Sequence, residues 1–140
     1  MEEMNAAMSA LQTWMAISAV LYTVGGLSFL FGQNLLLENI NNTSEKLFGD
    51  RFPRIPLSTE KFWLVLTVSM MAMLVTLSVY AAVDIERYYM MVPVVIVSKA
   101  VSTLQYSFHF ATKRYFAHAV GALTDGPLFL ITLILFLRLL

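Results

Sequence analysis

The sequence predicts an all-α integral membrane protein, an antiparallel bundle of four transmembrane helices. Three observations lead there. Hydrophobic residues make up 59% of the 140-residue chain and charged residues only 13%, against about 25% charged in an average soluble domain. Four long apolar runs each approach the ~20 residues that cross a hydrocarbon core. Two of the three links between them are very short, which makes sequence neighbours antiparallel. A soluble chain of this size could not bury so much apolar surface. Strands are excluded because the runs do not alternate in polarity as barrel strands must, and open sheet edges cannot lie in lipid.

The runs cover residues 11–31, 62–83, 88–110 and 116–137, within a single membrane domain over 1–140. The segment ahead of the first carries Glu2 and Glu3 and no basic residue. A signal peptide starts basic, so the first helix is expected to stay in place. The long link is the loop 32–61. In it Leu36, Leu37, Ile40, Leu47 and Phe48 recur among Asn and Glu with a roughly helical rhythm, so a short interfacial helix in this first loop is the preferred reading over a plain polar loop. Pro53 and Pro56 break any helix there, and Ser58 is a candidate N-cap for the second span. Asp84 to Arg87 reads as a tight turn, and Ala111 to Tyr115 joins the last two spans.

Basic loop residues set an orientation. Lys46, Arg51, Arg54, Lys61, Lys113 and Arg114 fall on one side, and Arg87 and Arg138 on the other. The richer side is expected in the cytoplasm. The expected location is therefore a membrane crossed several times, the bacterial inner membrane, with both termini outside the cytoplasm. Trp14, Trp63, Tyr88, Tyr89, Tyr115 and Phe116 lie near run ends, as interfacial aromatic residues do. Asn41 and Asn42 begin N-x-[ST] triplets, which carry no weight on a cytoplasmic face.

Small and polar residues mark faces. Ser18, Gly25 and Gly32 recur every seven residues beside Tyr22, and Ser69, Ala72, Thr76 and Tyr80 share a side of the second span. Both stripes read as packing seams, because small residues let helices approach in lipid. In the third span Lys99, Ser102, Tyr106 and His109 fall in one stripe, flanked by Ser98 and Gln105; in the fourth, His118, Gly121, Asp125 and Thr132 share a face, with Gly126 and Pro127 following. Lys99 and Asp125 are the only charges well inside a run. Each alone would cost about 2.5–3.5 kcal/mol at the bilayer centre. Their depths on adjacent spans differ by roughly 3 Å, so they are expected to compensate one another. The candidate binding cluster is Lys99, Ser102, Tyr106, His109, His118 and Asp125. A buried ion pair that fixes register is its structural alternative.

Chemistry of other kinds is thinly supported. Nine basic and nine acidic residues cancel, which argues against nucleic acid as a partner. Cysteine is absent, so disulfides and thiolate sites are excluded. No P-loop, Rossmann glycine pattern, HExxH or GxSxG is present, and an enzyme is not favoured. Met70, Met71, Met73, Met90 and Met91 read as apolar filler, and no metal is expected. His109 and His118 could relay protons or ligate haem, although a haem would need a helix from another subunit. No cofactor is predicted, haem and quinone being minor readings. Four spans in about 140 residues, with a glycine-bearing first span from Tyr22 to Gly32, resemble in size and spacing several small bacterial membrane families, including the DoxX-like group. That likeness carries no residue roles.

Three functions compete. The first is a non-catalytic component that assembles with itself or a larger membrane complex, with the bilayer as its other partner. The second is a transport protein that binds an ion, proton or small solute at Lys99 and Asp125. The third is an electron-transfer subunit that binds quinone or haem through His109, His118, Tyr106 and Gln105.

Overall fold

A computed structural model describes residues 2–59 and 62–139. Among them every regular element is helical. The main helices are α1 (Glu2–Phe48), α2 (Phe62–Val83), α4 (Val92–Lys113) and α5 (Phe116–Leu137), with a one-turn α3 (Ile85–Tyr88) between α2 and α4. Four helical stretches are long and apolar enough to cross a membrane: α1, α2, α3 with α4, and α5. Lys61, counted above among the basic loop residues, lies outside the described residues.

α2 and α5 occupy the residues that hydropathy marks. Two expectations need correction. The segment 32–61 is not a loop for half its length, because α1 continues to Phe48 with a break at Gly32 (φ −140°, ψ 26°). The helical rhythm of Leu36, Leu37 and Ile40 was sound, but the helix is joined to the first span and does not stand apart. Gly49 then takes φ +60°, the left-handed conformation that ends helices and suits glycine. The third helical stretch overruns the expected 88–110 at both ends, because α3 and a short 3-10 turn lead directly into α4 and the stretch runs from Ile85 to Lys113. Pro93 falls in the first turn of α4, where a residue with no N–H leaves no hydrogen bond unmade. At the far end of α4, Arg114 in the left-handed region (φ 54°) donates its N–H to Phe110 O at 3.0 Å. Asp84 is also more than a turn residue. Its Oδ1 accepts from Arg87 N at 3.1 Å and caps α3.

Burial follows helical period. On α1 the buried residues Leu11, Met15, Ser18, Ala19 and Tyr22 fall on one side; on α4 they are Val92, Val95, Ile96 and Lys99. These meet Leu74 and Ala81 of α2 and Leu128 of α5 in a common core. Side-chain hydrogen bonds tie α1 across it. Gln12 Nε2 donates to Ala82 O at 2.8 Å and so serves a carbonyl left open at the end of α2. Trp14 Nε1 donates to Thr132 Oγ1 at 2.8 Å, which gives this indole an internal partner in addition to its place near a run end. Gly25 and Gly26 seat Met71, whose Cβ would lie 3.3 Å from a methyl added at Gly26.

The outer faces are apolar and open. Leu104 is 70% exposed, Leu123 74% and Val65 67%. A soluble monomer rarely shows apolar patches this continuous. Hydroxyls on these faces turn inward to their own helix. Thr67 donates to Trp63 O, Ser69 to Val65 O, Thr76 to Ala72 O and Thr124 to Val120 O, each at 2.8–2.9 Å. That back-bonding satisfies the hydroxyls without any partner outside their own helix. Within the chain the face of Ser69, Ala72, Thr76 and Tyr80 is exposed, and α2 buries Leu74, Ser78 and Ala81 instead, so this stripe is not a seam between helices of the same chain.

Past Gly32, α1 carries an extended strap, residues 53–59. Asn34 Nδ2 donates to Ser58 O and Asn34 Oδ1 accepts from Ser58 N, both at 3.0 Å. Asn41 does the same with Ile55, at 3.0 and 2.9 Å. Seven residues of helix advance about 10.5 Å, and three residues of extended chain advance about 10 Å. The two carboxamides therefore fall in register with every third residue of the strap. At the far end of this half of α1, Phe48 packs on Phe52 and Phe116 at 5.4 Å, and Phe52 on Phe110 and Phe116 at 5.9 Å. The second half of α1 thus runs from beside the strap to the turn between α4 and α5.

Candidate functional site

Lys99 reaches the interior because it continues the buried stripe of α4, one turn beyond Val95 and Ile96. Asp125 lies on the facing helix. Lys99 Nζ donates to Asp125 Oδ1 at 2.9 Å, with the two side chains only 8% and 13% exposed. Ser102 Oγ donates to Asp125 Oδ2 at 2.5 Å, so both carboxylate oxygens are occupied. The third contact comes from α1. The ammonium stands 4.8 Å from the centre of the Tyr22 ring, a cation–π distance. One charged centre therefore joins α1, α4 and α5.

The backbone around it is also occupied. Lys99 O accepts from Thr103 Oγ1 at 2.7 Å. Pro127, inside α5, has no N–H to offer the carbonyl of Leu123. An added Cβ at Gly126 would meet Thr103 only at 3.6 Å, an ordinary contact; the close approach is at Gly121. A Cβ there would lie 2.8 Å from Cγ, Cδ1 and Cδ2 of Tyr106 alike, so the ring covers Gly121 face-on.

The six candidates fall into two groups about two helical turns apart. Lys99, Ser102 and Asp125 form the ion-pair group. Tyr106, His109 and His118 form an aromatic group nearer the α4–α5 turn. The two imidazoles are 5.4 Å apart between ring centres, and Tyr106 and Tyr115 lie 6.2 and 5.7 Å from His118. Tyr106 packed on Gly121 fills the turn between the two groups. Gln105 is exposed, so the four residues considered for haem or quinone do not converge. Among the described residues no group of three or more His, Asp or Glu is placed to hold a metal.

Tyr22 is the contributor the sequence undervalues. It appears there only beside a packing seam, and its side chain is 1% exposed. Its hydroxyl is buried with no hydrogen-bond partner among the described residues, as are those of Ser18 and Ser78. The available signal was its place four residues after Ser18 on the small-residue face of an otherwise apolar run. No family model, curated protein or solved structure matches the chain.

Proposed function

We propose that the chain is a small non-catalytic membrane protein, an antiparallel bundle of four transmembrane helices that assembles with itself or with a larger membrane complex. In this reading Lys99 and Asp125 hold the α4–α5 hairpin against α1. The bundle sits in the bacterial inner membrane, with the end that bears Arg51, Lys113 and Arg114 in the cytoplasm and both termini outside. The observation that carries it is the closure of the charged centre: Asp125 is served by Lys99 and Ser102, and the ammonium is covered by Tyr22. An ion pair of this kind contributes little net stability but is costly to half-remove, so it acts as a key for helix register. The contacts along the hairpin support opposite directions: Lys99 meets Asp125, Tyr106 meets Gly121 and His109 meets His118. The exposed face of α2 at Ser69, Ala72 and Thr76 gives a second helix room to approach.

A transport role is the second reading. It is favoured by the burial of the Lys99–Asp125 pair under the Tyr22 ring, whose own hydroxyl is buried without a partner among the described residues, since ionisable groups within membranes often mark a pathway. Two measurements on purified protein separate the readings. The first is the mass of the detergent-solubilised particle. The second is proton and salt flux in proteoliposomes. The assembly reading expects a particle larger than one chain and no flux above empty vesicles. Flux that Asp125→Asn abolishes would overturn it in favour of transport.

A further inference from the structure

The aromatic contacts bring distant cations to one rim. Phe52 packs on Phe110 and Phe116 at 5.9 Å. Arg51 immediately precedes Phe52, and Lys113 and Arg114 lie between Phe110 and Phe116. All three cations are exposed. None has an ion-pair partner among the described residues. Arg54, by contrast, is committed to Glu45 at 2.7 Å and to Asn42 at 3.1 Å. The nearest acid in sequence, Asp50, offsets only part of the charge. Beside this rim Phe48 is 44% exposed and Leu47 66%. The arrangement is a cationic edge set on an aromatic layer where the ends of α1, α4 and α5 meet.

Arg114 adds an independent observation. It sits at φ 54°, a conformation that glycine enters without strain and most side chains avoid. A residue held in such a region motivates a search for a role. Here the strained position carries an exposed cation with no ion-pair partner among the described residues.

We propose that the rim formed by Arg51, Lys113 and Arg114 binds the phosphate headgroup of an anionic phospholipid. The Phe48–Phe52 layer would take the adjoining glycerol and upper acyl chain. Clusters of basic residues just outside membrane helices attract anionic lipid in this way. Guanidinium groups pair with phosphate through two parallel hydrogen bonds. The proposal rests on the membrane-bundle reading above.

The test is native mass spectrometry of the full chain, stripped of lipid in detergent and supplied with phosphatidylglycerol or phosphatidylcholine. Phosphatidylglycerol should be retained at least tenfold better. Each cation removed should weaken its retention by about fivefold. Arg114→Gly is the most informative variant, because glycine suits the turn: thermal stability should hold or rise while retention falls. Arg51→Gln with Lys113→Gln should deepen the loss, and Lys46→Gln should change little. Equal retention of the two lipids would overturn the proposal, as would unchanged phosphatidylglycerol retention in the three-cation variant. Inorganic phosphate at millimolar concentration should not displace the lipid; displacement would show a free-anion site and overturn the lipid assignment. Alkaline carbonate extraction of membranes separates the two claims. A chain that washes off overturns both, whereas an embedded chain with no headgroup preference overturns only this one.

Discussion

Asn41 grips the backbone of Ile55 by both ends of its carboxamide, donating from Nδ2 to the carbonyl at 3.0 Å and accepting at Oδ1 from the N–H at 2.9 Å. The side chain thereby acts as a strand partner for the strap. Asn41→Asp keeps the acceptor and removes the donor; Asn41→Ala removes both. Each hydrogen bond contributes about 0.5–1.5 kcal/mol, so the alanine variant should lose about 1–3 kcal/mol of strap docking. Limited proteolysis reads this directly. Cleavage after Arg51 or Arg54 should accelerate in Asn41→Ala and less in Asn41→Asp. Equal cleavage in all three proteins would show that the strap is held by something else.

Gly121 leaves no room for a methyl group beneath Tyr106. Gly121→Ala should destabilise the hairpin by about 1–3 kcal/mol, the usual cost of overpacking, seen as a lower unfolding midpoint in detergent. The strain comes from one neighbour, so Gly121→Ala combined with Tyr106→Leu should recover part of the loss. A double-mutant cycle measures that coupling. Strictly additive losses would mean that the ring does not press on this residue. Gly126→Ala is the contrasting control, with an ordinary 3.6 Å contact and a small effect.

How far these features were legible in the sequence depends on how local their causes are. The spans at 62–83 and 116–137 follow from unbroken apolar runs, and the facing of Lys99 and Asp125 follows from helical angle and depth. The continuation of α1 to Phe48 was obscured because Gly32, Asn34 and the polar residues after it lower hydropathy without breaking the helix; hydropathy reports solvent, not backbone. The strap was hidden for another reason. The spacing of Asn34 and Asn41 has meaning only against Ser58 and Ile55, and no pattern within one helix reveals the partner. The second stripe is not packed within the chain, and its sequence alone does not say so, because small hydroxyl residues suit either a helix contact or an outer face once they bond back to their own helix. Tyr22 was missed because a cation–π contact leaves no sequence spacing of its own.

Tyr22 separates ring from hydroxyl. Its aromatic face covers Lys99 at 4.8 Å, while its hydroxyl is buried without a partner among the described residues. Tyr22→Phe keeps the cation–π contact and removes an unsatisfied polar group. It should therefore be neutral or stabilising, by up to about 1–3 kcal/mol. Tyr22→Leu removes the ring's quadrupole and should cost about 2 kcal/mol, in addition to any packing loss. Thermal unfolding in one detergent gives the order Phe, Tyr, Leu from most to least stable. If Tyr22→Phe is clearly the least stable of the three, the hydroxyl has a partner and the centre binds something there.

The charged centre makes the sharpest demand on thermodynamics. Removing one member of a buried pair strands the other, which typically costs 3–5 kcal/mol, whereas replacing both with apolar groups is often neutral or better. Lys99→Met should thus be severely destabilising, because Asp125 keeps only Ser102. Asp125→Leu should be comparably harmful, with the ammonium left facing Tyr22 alone. Lys99→Met with Asp125→Leu should unfold nearer the wild-type midpoint than either single variant. Helix content by circular dichroism and the unfolding midpoint in detergent are sufficient readouts. If the double variant is as unstable as the sum of the singles, the two charges act independently and do not fix the register of α4 against α5. If the double variant is stable yet loses its large-particle mass, the pair acts on assembly and not on the fold of one chain.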